Sequence, residues 1–585
     1  MELKDFCYAY FNPVGRALSR AYRGLEDDLA AANMKITPTV YLSVVGFLAV
    51  LGFSVPLALL LVLALLFKIG ALMSPLLWIV VAASPAAVIL VGLMVPKMVA
   101  SNRVSGLKTE IPYASMYMSV MASGGLSPYA SLLRLRRTNL LPKLREEIRR
   151  IQSLVLSSGS DPVSAMERAA KVVGLKEYKD LLLGYASTLR TGGDVLHYLF
   201  SQTKNMFRSA ASRIRAMGEN MGMLMETYTI VGILGALGLY MMFVVSFSLP
   251  EAGAKLSPES FFLFAFVVLP IMSVVFIYLG DSFQVSYPVS YWKTYIALGA
   301  TLPLGLFLVT QMALPFLFPG LPGFPPLMGL SAHLARLLGF QEGCEPALGM
   351  AFSLIVMSIP VIIIDHHYAK EEKGVLQGLT TFLRDLVENR KAGLSPERCI
   401  HILSKRDYGR FSKHLRRISS ELGWGFPLRK IFADFQERVT SWLSQVNLYL
   451  LVDTIEVGGG NEESLEILAE FSEDTRELEK ERRSLVAPLV MVPFIGAALL
   501  TATTVLFLQF FGDMSSMMGS TIPYLMLSRT LLTPLVLHSF MLGLVTGKIT
   551  SGRVSSGFKL ALLLTVVSLG GVWLASHFMT FSMFG

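Results

Sequence analysis

The sequence predicts an all-α membrane protein with about nine transmembrane helices and two polar helical domains. Three observations lead to this prediction. Hydrophobic residues make up 53% of the 585 residues and charged residues only 16%, whereas a soluble protein carries about 25% charged residues. The apolar residues are concentrated in long runs, which is typical of membrane-spanning helices. The polar residues are gathered in two long blocks that have helical periodicity and no alternating strand pattern of useful length.

Nine apolar segments are long enough to cross a hydrocarbon layer of ~30 Å, for which a helix needs about 20 residues. They are predicted at 40–66, 72–95, 227–248, 261–279, 294–318, 347–364, 487–511, 523–546 and 558–580. Pro303 and Pro315 interrupt the fifth segment and the sixth is the shortest, so the number of spans is defined to within one. Residues 1–39 lack a cleavable signal pattern, so we expect the first span to remain as an anchor.

The distribution of basic residues predicts the orientation in the plasma membrane. If the nine spans alternate from a cytoplasmic N-terminus, 47 of the 51 Lys and Arg residues lie on the cytoplasmic side or at its boundary. Lys68, Lys255 and Arg336 then lie outside. Arg529 lies within a span near its outer end, where its long side chain could snorkel to the interface. The positive-inside rule thus predicts a cytoplasmic N-terminus and an external C-terminus.

The spans divide the chain into six predicted segments. These are a cytoplasmic segment at 1–39, two spans at 40–96, a first cytoplasmic domain at 97–226, four spans at 227–364, a second cytoplasmic domain at 365–486 and three spans at 487–585. Each domain contains 19 Lys and Arg residues, but the first contains 10 Asp and Glu residues and the second 21. Their formal charges are therefore +9 and −2, so the basic excess of the chain lies in the first domain.

The tetrapeptide Gly-Leu-Ser-Pro occurs in the first third of both domains, at positions 268 residues apart. In each copy the glycine can end one helix in the left-handed conformation. The serine can then cap a second helix whose first position is taken by the proline. Each copy therefore predicts a helix, a tight turn and a helix. The turn residues are Gly125, Ser127, Pro128, Gly393, Ser395 and Pro396.

Three further landmarks keep their order and spacing between the two domains. The sequence IRRI at 148–151 is followed 267 positions later by LRRI at 415–418, and Pro162 has a counterpart in Pro427. The motif TLRTGG begins at Thr188, and TIEVGGG begins 266 positions later. Agreement at four landmarks indicates that the domains are two copies of one helical bundle.

The order of these motifs resembles the F domain of type II secretion systems, in which a Glu-x-Gly-Gly motif precedes a Leu-rich helix. Two copies with additional spans are similar to the archaeal branch, which includes the assembly platform of the archaellum. The resemblance covers most of the chain from about 97 to 511. It implies a non-enzymatic platform that couples a cytoplasmic hexameric ATPase to the insertion of pilin-like or archaellin-like subunits. A homodimer is one candidate assembly.

The two copies differ at the glycine motif. Glu456 matches the acidic residue that the family pattern places before its glycine, whereas the first copy has Arg190 at this position. The resemblance therefore implies a contact at Glu456 that the first copy has lost or inverted. The alternative is that the glycines of both motifs only end helices. These glycines are Gly192, Gly193, Gly458 and Gly459.

Clusters of arginine are the candidate docking site for the ATPase that the resemblance implies. The first cluster follows the first Gly-Leu-Ser-Pro turn, and the second lies in the next helix of the same domain. The third lies in the second domain, at the position that corresponds to the second cluster. Their members are Arg134, Arg136, Arg137, Arg149, Arg150, Arg416 and Arg417. The alternatives are a solvated helix face and attraction to anionic lipid headgroups. No stacking pattern of aromatic residues accompanies them, so nucleic acid is not an expected partner.

The sequence predicts no catalytic residue, no metal site and no cofactor. The nearest approach to a phosphate-binding loop, GLVTGKIT from Gly543, has three residues between its glycines instead of four and Ile in place of Ser or Thr. His366 and His367 have no third ligand at a suitable spacing. Cys344 is the single cysteine on the external side, so we expect no disulfide there.

A secondary transporter with duplicated halves is the alternative function. Transporters usually place ionisable groups within their spans, and these spans contain almost none. The two large cytoplasmic bundles also favour a platform over a transporter. The sequence does not distinguish an archaellum from an adhesive pilus or a secretion pseudopilus.

Overall fold

The computed structural model describes residues 3–21, 24–32, 34, 36–67, 75–248, 258–285, 287–288, 292–318, 323–458, 460–518 and 524–578. Helices contain most of these residues, and no strand occurs among them. The prediction of an all-α fold is therefore confirmed. The chain divides into two units, Met1–Met118 with Ser127–Gln202 and Ser119–Leu126 with Thr203–Gly585.

The first unit contains the N-terminal helices and most of the first polar helical domain. Its helices are α1 (Leu3–Ala21), α2 (Leu25–Ala31), α3 (Pro38–Phe67), most of α4 (Pro75–Ser123), α5 (Pro128–Leu135), α6 (Pro142–Ser158), α7 (Pro162–Val172), α8 (Lys176–Arg190) and the first turns of α9 (Val195–Ser248).

Polar contacts hold α6 against α4 in this unit. The buried carboxylate of Glu110 on α4 accepts hydrogen bonds from the backbone N–H groups of Lys143 (3.2 Å) and Leu144 (2.7 Å). These N–H groups lie in the first turn of α6, where they have no partner within the helix. Glu147 of α6 is also buried and forms an ion pair with Arg103 of α4. Glu110 thus caps α6 from a neighbouring helix.

The second unit contains the remainder of α4 and α9 and all later helices. These are α10 (Pro258–Leu263), a π-helical segment (Phe264–Val268), α11 (Leu269–Phe283), α12 (Trp292–Met312), α13 (Leu314–Leu317), α14 (Pro325–Leu337), α15 (Glu345–Lys391), α16 (Pro396–Leu403), α17 (Phe411–Gly423), α18 (Leu428–Arg438), α19 (Trp442–Gly458), α20 (Glu462–Val486), a 3₁₀ turn (Ala487–Val490), α21 (Met491–Met518), α22 (Tyr524–Ser551) and α23 (Val554–Phe578).

Among the described residues, eight helices are long and apolar enough to cross a membrane, which confirms a polytopic membrane protein. Their described stretches are Val88–Ser123, Val195–Phe243, Ser260–Phe283, Trp292–Leu317, Glu345–Lys391, Glu462–Phe510, Leu525–Ser551 and Val554–Leu574. The apolar helix α3 lies at the first predicted span, so a total of nine stays a prediction. The two prolines of the fifth predicted span differ in effect. Pro303 lies inside α12, whereas the helix is interrupted at Ala313, just before Pro315.

Ion pairs join span ends that the sequence predicts to lie on the same side of the membrane. Lys548 at the end of α22 pairs with Asp281 at the end of α11. Toward the opposite face, Arg529 of α22 pairs with Glu345 at 3.4 Å and lies over the ring of Phe316 at 5.3 Å from its centroid. Arg529 thus has an intramolecular ion pair in addition to the snorkelling that the sequence predicts, which stays a prediction.

Glycines allow α22 and α23 to pack backbone against backbone. A Cβ atom on Gly543 would overlap the Cα atom of Ala561, and one on Gly547 would overlap the Cα atom of Gly557. Small residues four apart are a common device for close packing of membrane helices, because they let the two backbones approach. The α22–α23 pair is therefore a rigid part of the span bundle.

We expect Gly547→Ala to destabilise the protein by about 1–3 kcal/mol, because the added methyl group must push the two helices apart. Gly238→Ala is the matched control, since a Cβ atom there has no neighbour within 4 Å. Thermal unfolding of both purified variants in one detergent measures the difference. Equal melting temperatures for the two variants would contradict the close packing.

Candidate functional site

The two Gly-Leu-Ser-Pro turns have the same local geometry. Gly125 and Gly393 have positive φ angles of 87° and 85°, which favour glycine. The hydroxyl of Ser127 accepts a hydrogen bond from the N–H of Ala130, as the hydroxyl of Ser395 does from Arg398. The prolines that begin the following helices are Pro128 and Pro396.

The end of α4, just before the first turn, contacts the second domain. The Oγ atoms of Ser123 and Ser464 are 2.6 Å apart, and the side-chain amide of Asn461 donates to the carbonyl of Ser123 at 3.2 Å. A Cβ atom on Gly458 would lie 3.3 Å from the Cα atom of Gly124. Gly458 therefore does more than end α19, because it also lets the backbone of α4 approach.

The remaining glycines of the two motifs lie at helix ends. Gly192 follows α8 with a φ angle of +69°, and the N–H of Gly193 donates to the carbonyl of Thr188 at 2.9 Å. Gly460 precedes α20 with a φ angle of +61°. Gly459 lies outside the described residues.

Arg190 and Glu456 occupy corresponding positions, and each forms an ion pair with the preceding helix of its own domain. Arg190 on α8 pairs with Glu167 on α7 at 2.9 Å. Glu456 on α19 pairs with Arg429 on α18 at 2.8 Å. The contact is thus inverted in sign in the first copy. The sequence did not indicate either partner, because each lies one helix earlier and carries no motif of its own.

The arginines of the first domain lie on α5, its C-terminal turn and α6. Arg136 donates to the side-chain oxygen of Gln152, which ties the end of α5 to α6. Arg137 and Arg149 are exposed, so their guanidinium groups are available to a partner. The half-buried members of the cluster are Arg134, Arg136 and Arg150.

The arginines of the second domain lie on α17. Arg416 is exposed, whereas Arg417 pairs with Glu421 one turn later at 2.7 Å. His414 on the same helix is half-buried, 3.8 Å from Glu371. Burial lowers the pKa of His414, so it is neutral near pH 7 and adds no charge to this face.

An exposed aromatic pair follows α17, and the sequence reasoning missed it. The side chain of Trp424 is 76% exposed, and its ring centroid lies 6.3 Å from that of Phe426. The ammonium group of Lys430 lies over the Phe426 ring at 4.2 Å. The signal that could have revealed the pair is the sequence GWGF, in which glycines isolate two large aromatic residues within a polar turn.

The aromatic pair lies at the end of the second domain that is remote from the span bundle. Helix α19 begins at Trp442, whose ring stacks on Tyr287 just after α11. The far end of α19 carries Glu456, which pairs with Arg429 in the first turn of α18. Trp424 precedes that turn by a few residues, so it lies at the level of the far end of α19.

The last helix of the first domain and that of the second run side by side in register. Asp194 caps α9 and Asn461 caps α20, 267 positions later, and residues separated by the same 267 positions contact each other. A Cβ atom on Gly218 would lie 3.1 Å from Leu485 Cβ. Residues at the same position of the two copies contact each other at several points along the helices. This arrangement requires the two helices to be parallel and related by a local twofold axis. The contacting pairs are Gly218–Leu485, Gly222–Leu489 and Thr229–Gly496.

Two ion pairs, each with its cation on α9 and its carboxylate on α20, stabilise this parallel helix pair. Lys204 of α9 pairs with Glu470 of α20 at 2.7 Å, and Arg215 pairs with Glu481 at 2.6 Å. In both pairs the first copy supplies the cation and the second copy the carboxylate. The opposite formal charges of the two copies therefore contribute to the contact between α9 and α20.

The two paired helices differ in their continuity. Helix α9 runs from the first domain into its span without a break. In the second copy α20 ends at Val486, and a 3₁₀ turn that contains Pro488 precedes α21. Proline cannot donate the backbone hydrogen bond of a continuous α-helix, which accounts for the turn. In the second copy the α-helix is thus interrupted between the polar domain and the apolar helix that follows it.

Comparison with known families agrees with the duplication seen in the fold. The family model described as type II secretion system (T2SS), protein F, matches residues 114–243 and again residues 382–509. Two segments of the chain thus match the type II secretion system F domain. Each matched segment runs from a polar helical bundle into the apolar helix that follows it.

An uncharacterized protein of Methanocaldococcus jannaschii is 19% identical to this chain over 511 residues. The alignment covers 82% of each chain, so the similarity extends beyond the two F domains into the surrounding spans. No solved structure matches the chain.

A cysteine pair tests the parallel register. In a background without the three native cysteines, we expect Gly218→Cys with Leu485→Cys to oxidise to a disulfide. The Cβ positions are close to the separation of about 3.5–4.5 Å that a disulfide needs. Thiol-directed mass tagging after denaturation counts the free thiols.

The matched control combines Gly218→Cys with Met491→Cys, because Met491 lies on the same helical segment but is 67% exposed. This pair is expected to keep both thiols free. Equal oxidation of the two pairs would contradict a fixed register.

Proposed function

We propose that this protein is the membrane-embedded assembly platform of a type IV pilus-like filament. It couples a cytoplasmic hexameric ATPase to the insertion of pilin-like or archaellin-like subunits. The observation that carries the proposal is the pair of F domains whose last helices are joined in register and continue toward the membrane. The archaeal relative supports an archaeal machine, which includes the archaellum, an adhesive pilus and a secretion pseudopilus as candidates.

The parallel helix pair supports a mechanical role. A push on the second domain acts on α20, whose Glu470 and Glu481 are tied to α9 by ion pairs. Both α9 and the α20–α21 segment lead into spans, so movement of one domain is passed to two membrane helices. The 3₁₀ turn Ala487–Val490 allows α20 to tilt relative to α21.

Each unit offers its own candidate docking site for the ATPase, the arginines of α5 and α6 in the first unit and the arginines of α17 with the aromatic loop in the second. The exposed Arg137 and Arg149 support electrostatic attraction of an acidic partner, which governs the rate and orientation of encounter. Trp424 supports an apolar contact, because exposed tryptophans commonly dominate the energy of protein interfaces. Glu456 acts here by holding Arg429 beneath the aromatic loop.

The platform itself is proposed to be non-enzymatic, with its N-terminus cytoplasmic and its C-terminus external. Its sequence has no phosphate-binding loop, and no group of three potential metal ligands occurs among the described residues. ATP hydrolysis is accordingly assigned to the partner ATPase.

His538 of α22 is an observation that favours the alternative of a transporter. It is buried within a span, and neither ring nitrogen has a hydrogen-bond partner among the described residues. Ionisable residues inside spans commonly mark substrate or proton pathways. Loss of filaments on deletion of the chain, with rescue by His538→Ala, would favour the platform over the transporter.

Reversal of Arg134, Arg136 and Arg137 to Glu is expected to weaken ATPase binding and filament assembly while membrane insertion is retained. The reason is the loss of charge complementarity, so the defect should be larger at low salt, where charges are less screened. A pull-down of the ATPase at low and high salt, together with filament counts, measures both effects.

Two variants separate docking from folding in that experiment. Arg137→Glu with Arg149→Glu leaves the Arg136–Gln152 contact intact and is expected to reproduce the defect. Reversal of Arg416 and Arg417 is expected to have a smaller effect, because the second domain lacks the basic excess. Binding at the wild-type level by the Arg137/Arg149 variant at low salt would assign these arginines to a solvated face.

The purified full-length chain is expected to hydrolyse no ATP, and to stimulate or bind the filament-type ATPase when both are reconstituted in vesicles. A phosphate-release assay of each protein alone and of the mixture measures this. Hydrolysis by the purified chain alone, at a rate that scales with its concentration, would contradict the platform role.

A further inference from the structure

A polar cavity of about 540 Å³ lies where the second F domain meets the span bundle. Its wall is formed by α9, the ends of α11 and α12, the middle of α15, the end of α20 and the turn between α22 and α23. No motif predicted this cavity, because its wall is assembled from six separate parts of the chain. The charged groups on the wall are Asp281, Glu372, Arg482, Arg483, Lys548 and Arg553.

Hydrogen-bond donors are in excess on the wall. Arg482 and Arg483 share one carboxylate, that of Glu479, with a contact of 2.8 Å from each. A guanidinium group carries five N–H donors, so a shared carboxylate leaves most of them for other acceptors. The Nε atom of Arg482 is buried and has no hydrogen-bond partner among the described residues.

The other two cations are held from the span side. Lys548 pairs with Asp281 and also donates to the carbonyl of Gly552 at 2.9 Å. Arg553 pairs with Glu372 at 3.2 Å. The groups that line the wall are thus four cations and two carboxylates, and two carboxylates outside the lining, Glu479 and Asp365, also pair with these arginines. Two of the cations belong to the F domain and two to the span bundle.

The site is built rigidly around Arg482. Its side chain is only 17% exposed, and its guanidinium group lies 5.8 Å from the centroid of the Tyr287 ring. Gln284 donates to the carbonyls of Lys548 (2.7 Å) and Ile549 (3.0 Å), which fixes the end of α11 to the end of α22. Gly552 has a φ angle of +79°, and its missing side chain leaves room beside the guanidinium group.

The position of the cavity indicates the chemistry of its ligand. Arg482 and Arg483 precede the predicted 487–511 span, and Lys548 and Arg553 lie between the last two predicted spans. The predicted span limits therefore place all four residues at headgroup level. Apolar side chains, among them Val486 and Ile549, complete the wall. Basic pockets at this depth between membrane helices suit the phosphate of an anionic lipid.

We propose that this cavity binds a phosphate oxyanion, supplied by the headgroup of an anionic membrane lipid. The arginines donate to the phosphate oxygens in the forked geometry that guanidinium groups favour. A phosphate held by Arg482 and Arg553 bridges the F domain and the span bundle beside the 3₁₀ turn. This inference does not depend on which filament the platform serves.

Native mass spectrometry of the full-length protein in detergent tests the proposal. The probes are phosphatidylglycerol, phosphatidylcholine and inorganic phosphate, titrated separately. Wild-type protein is expected to retain phosphatidylglycerol in preference to phosphatidylcholine. Arg482→Gln with Arg553→Gln is expected to weaken this retention by at least about tenfold, because charged hydrogen bonds to phosphate are lost.

The matched control is Arg384→Gln with Arg406→Gln, which removes two arginines of the same domain from ion pairs outside the cavity wall. It is expected to retain lipid like the wild type. The melting temperature of wild type and control should rise with phosphatidylglycerol, and Arg553→Gln alone provides a milder variant if the double variant fails to fold.

Three outcomes would overturn the proposal. Equal retention of the two lipids would exclude a phosphate-selective lipid site. Retention by the folded cavity variant at the wild-type level would place the lipid elsewhere. Displacement of the lipid by millimolar inorganic phosphate, with phosphate retained instead, would assign the oxyanion site to a soluble ligand.

Discussion

The parallel contact between α9 and the α20–α21 segment is the constraint on which the architecture depends. Both helices leave an F domain and lead into the membrane, so a contact in register makes the two copies enter at one level. The contact is close because the first copy presents Gly218 where the second presents Leu485. The aromatic stack of Phe207 on Phe471 and two ion pairs extend it away from the membrane. Apolar packing and charge therefore select the same register.

Basic residues occur in three different environments in this protein. Cations of α9 form ion pairs with carboxylates of α20. These pairs neutralise part of the positive charge of the first domain with negative charge of the second. Arg137 on the turn after α5 and Arg149 on α6 are exposed and form the docking site proposed above. At the membrane boundary, cations from α20 and from the α22–α23 turn line one cavity. Each group of cations has a different task because each has different neighbours.

The sequence predicted those features that depend on local signals. The apolar runs predicted the spans, and the Ser-Pro pairs predicted the helix starts at Ser127 and Ser395, because capping involves neighbours three residues apart. The features it did not predict depend on contacts between distant residues. The partner of Arg529 is 184 residues away, and the cavity wall comes from six segments. Trp424 was missed for another reason, since tryptophan is usually buried and only the fold reveals its exposure.

The pairing of glycine with leucine across the local twofold axis has a consequence for the symmetry of the chain. In a dimer of identical subunits, each residue on the axis faces its own copy, so Gly218 would have to face glycine and Leu485 would have to face leucine. A chain that contains both copies is free of that restriction, so each side can have a shape that fits only the other side. The two halves are consequently not interchangeable.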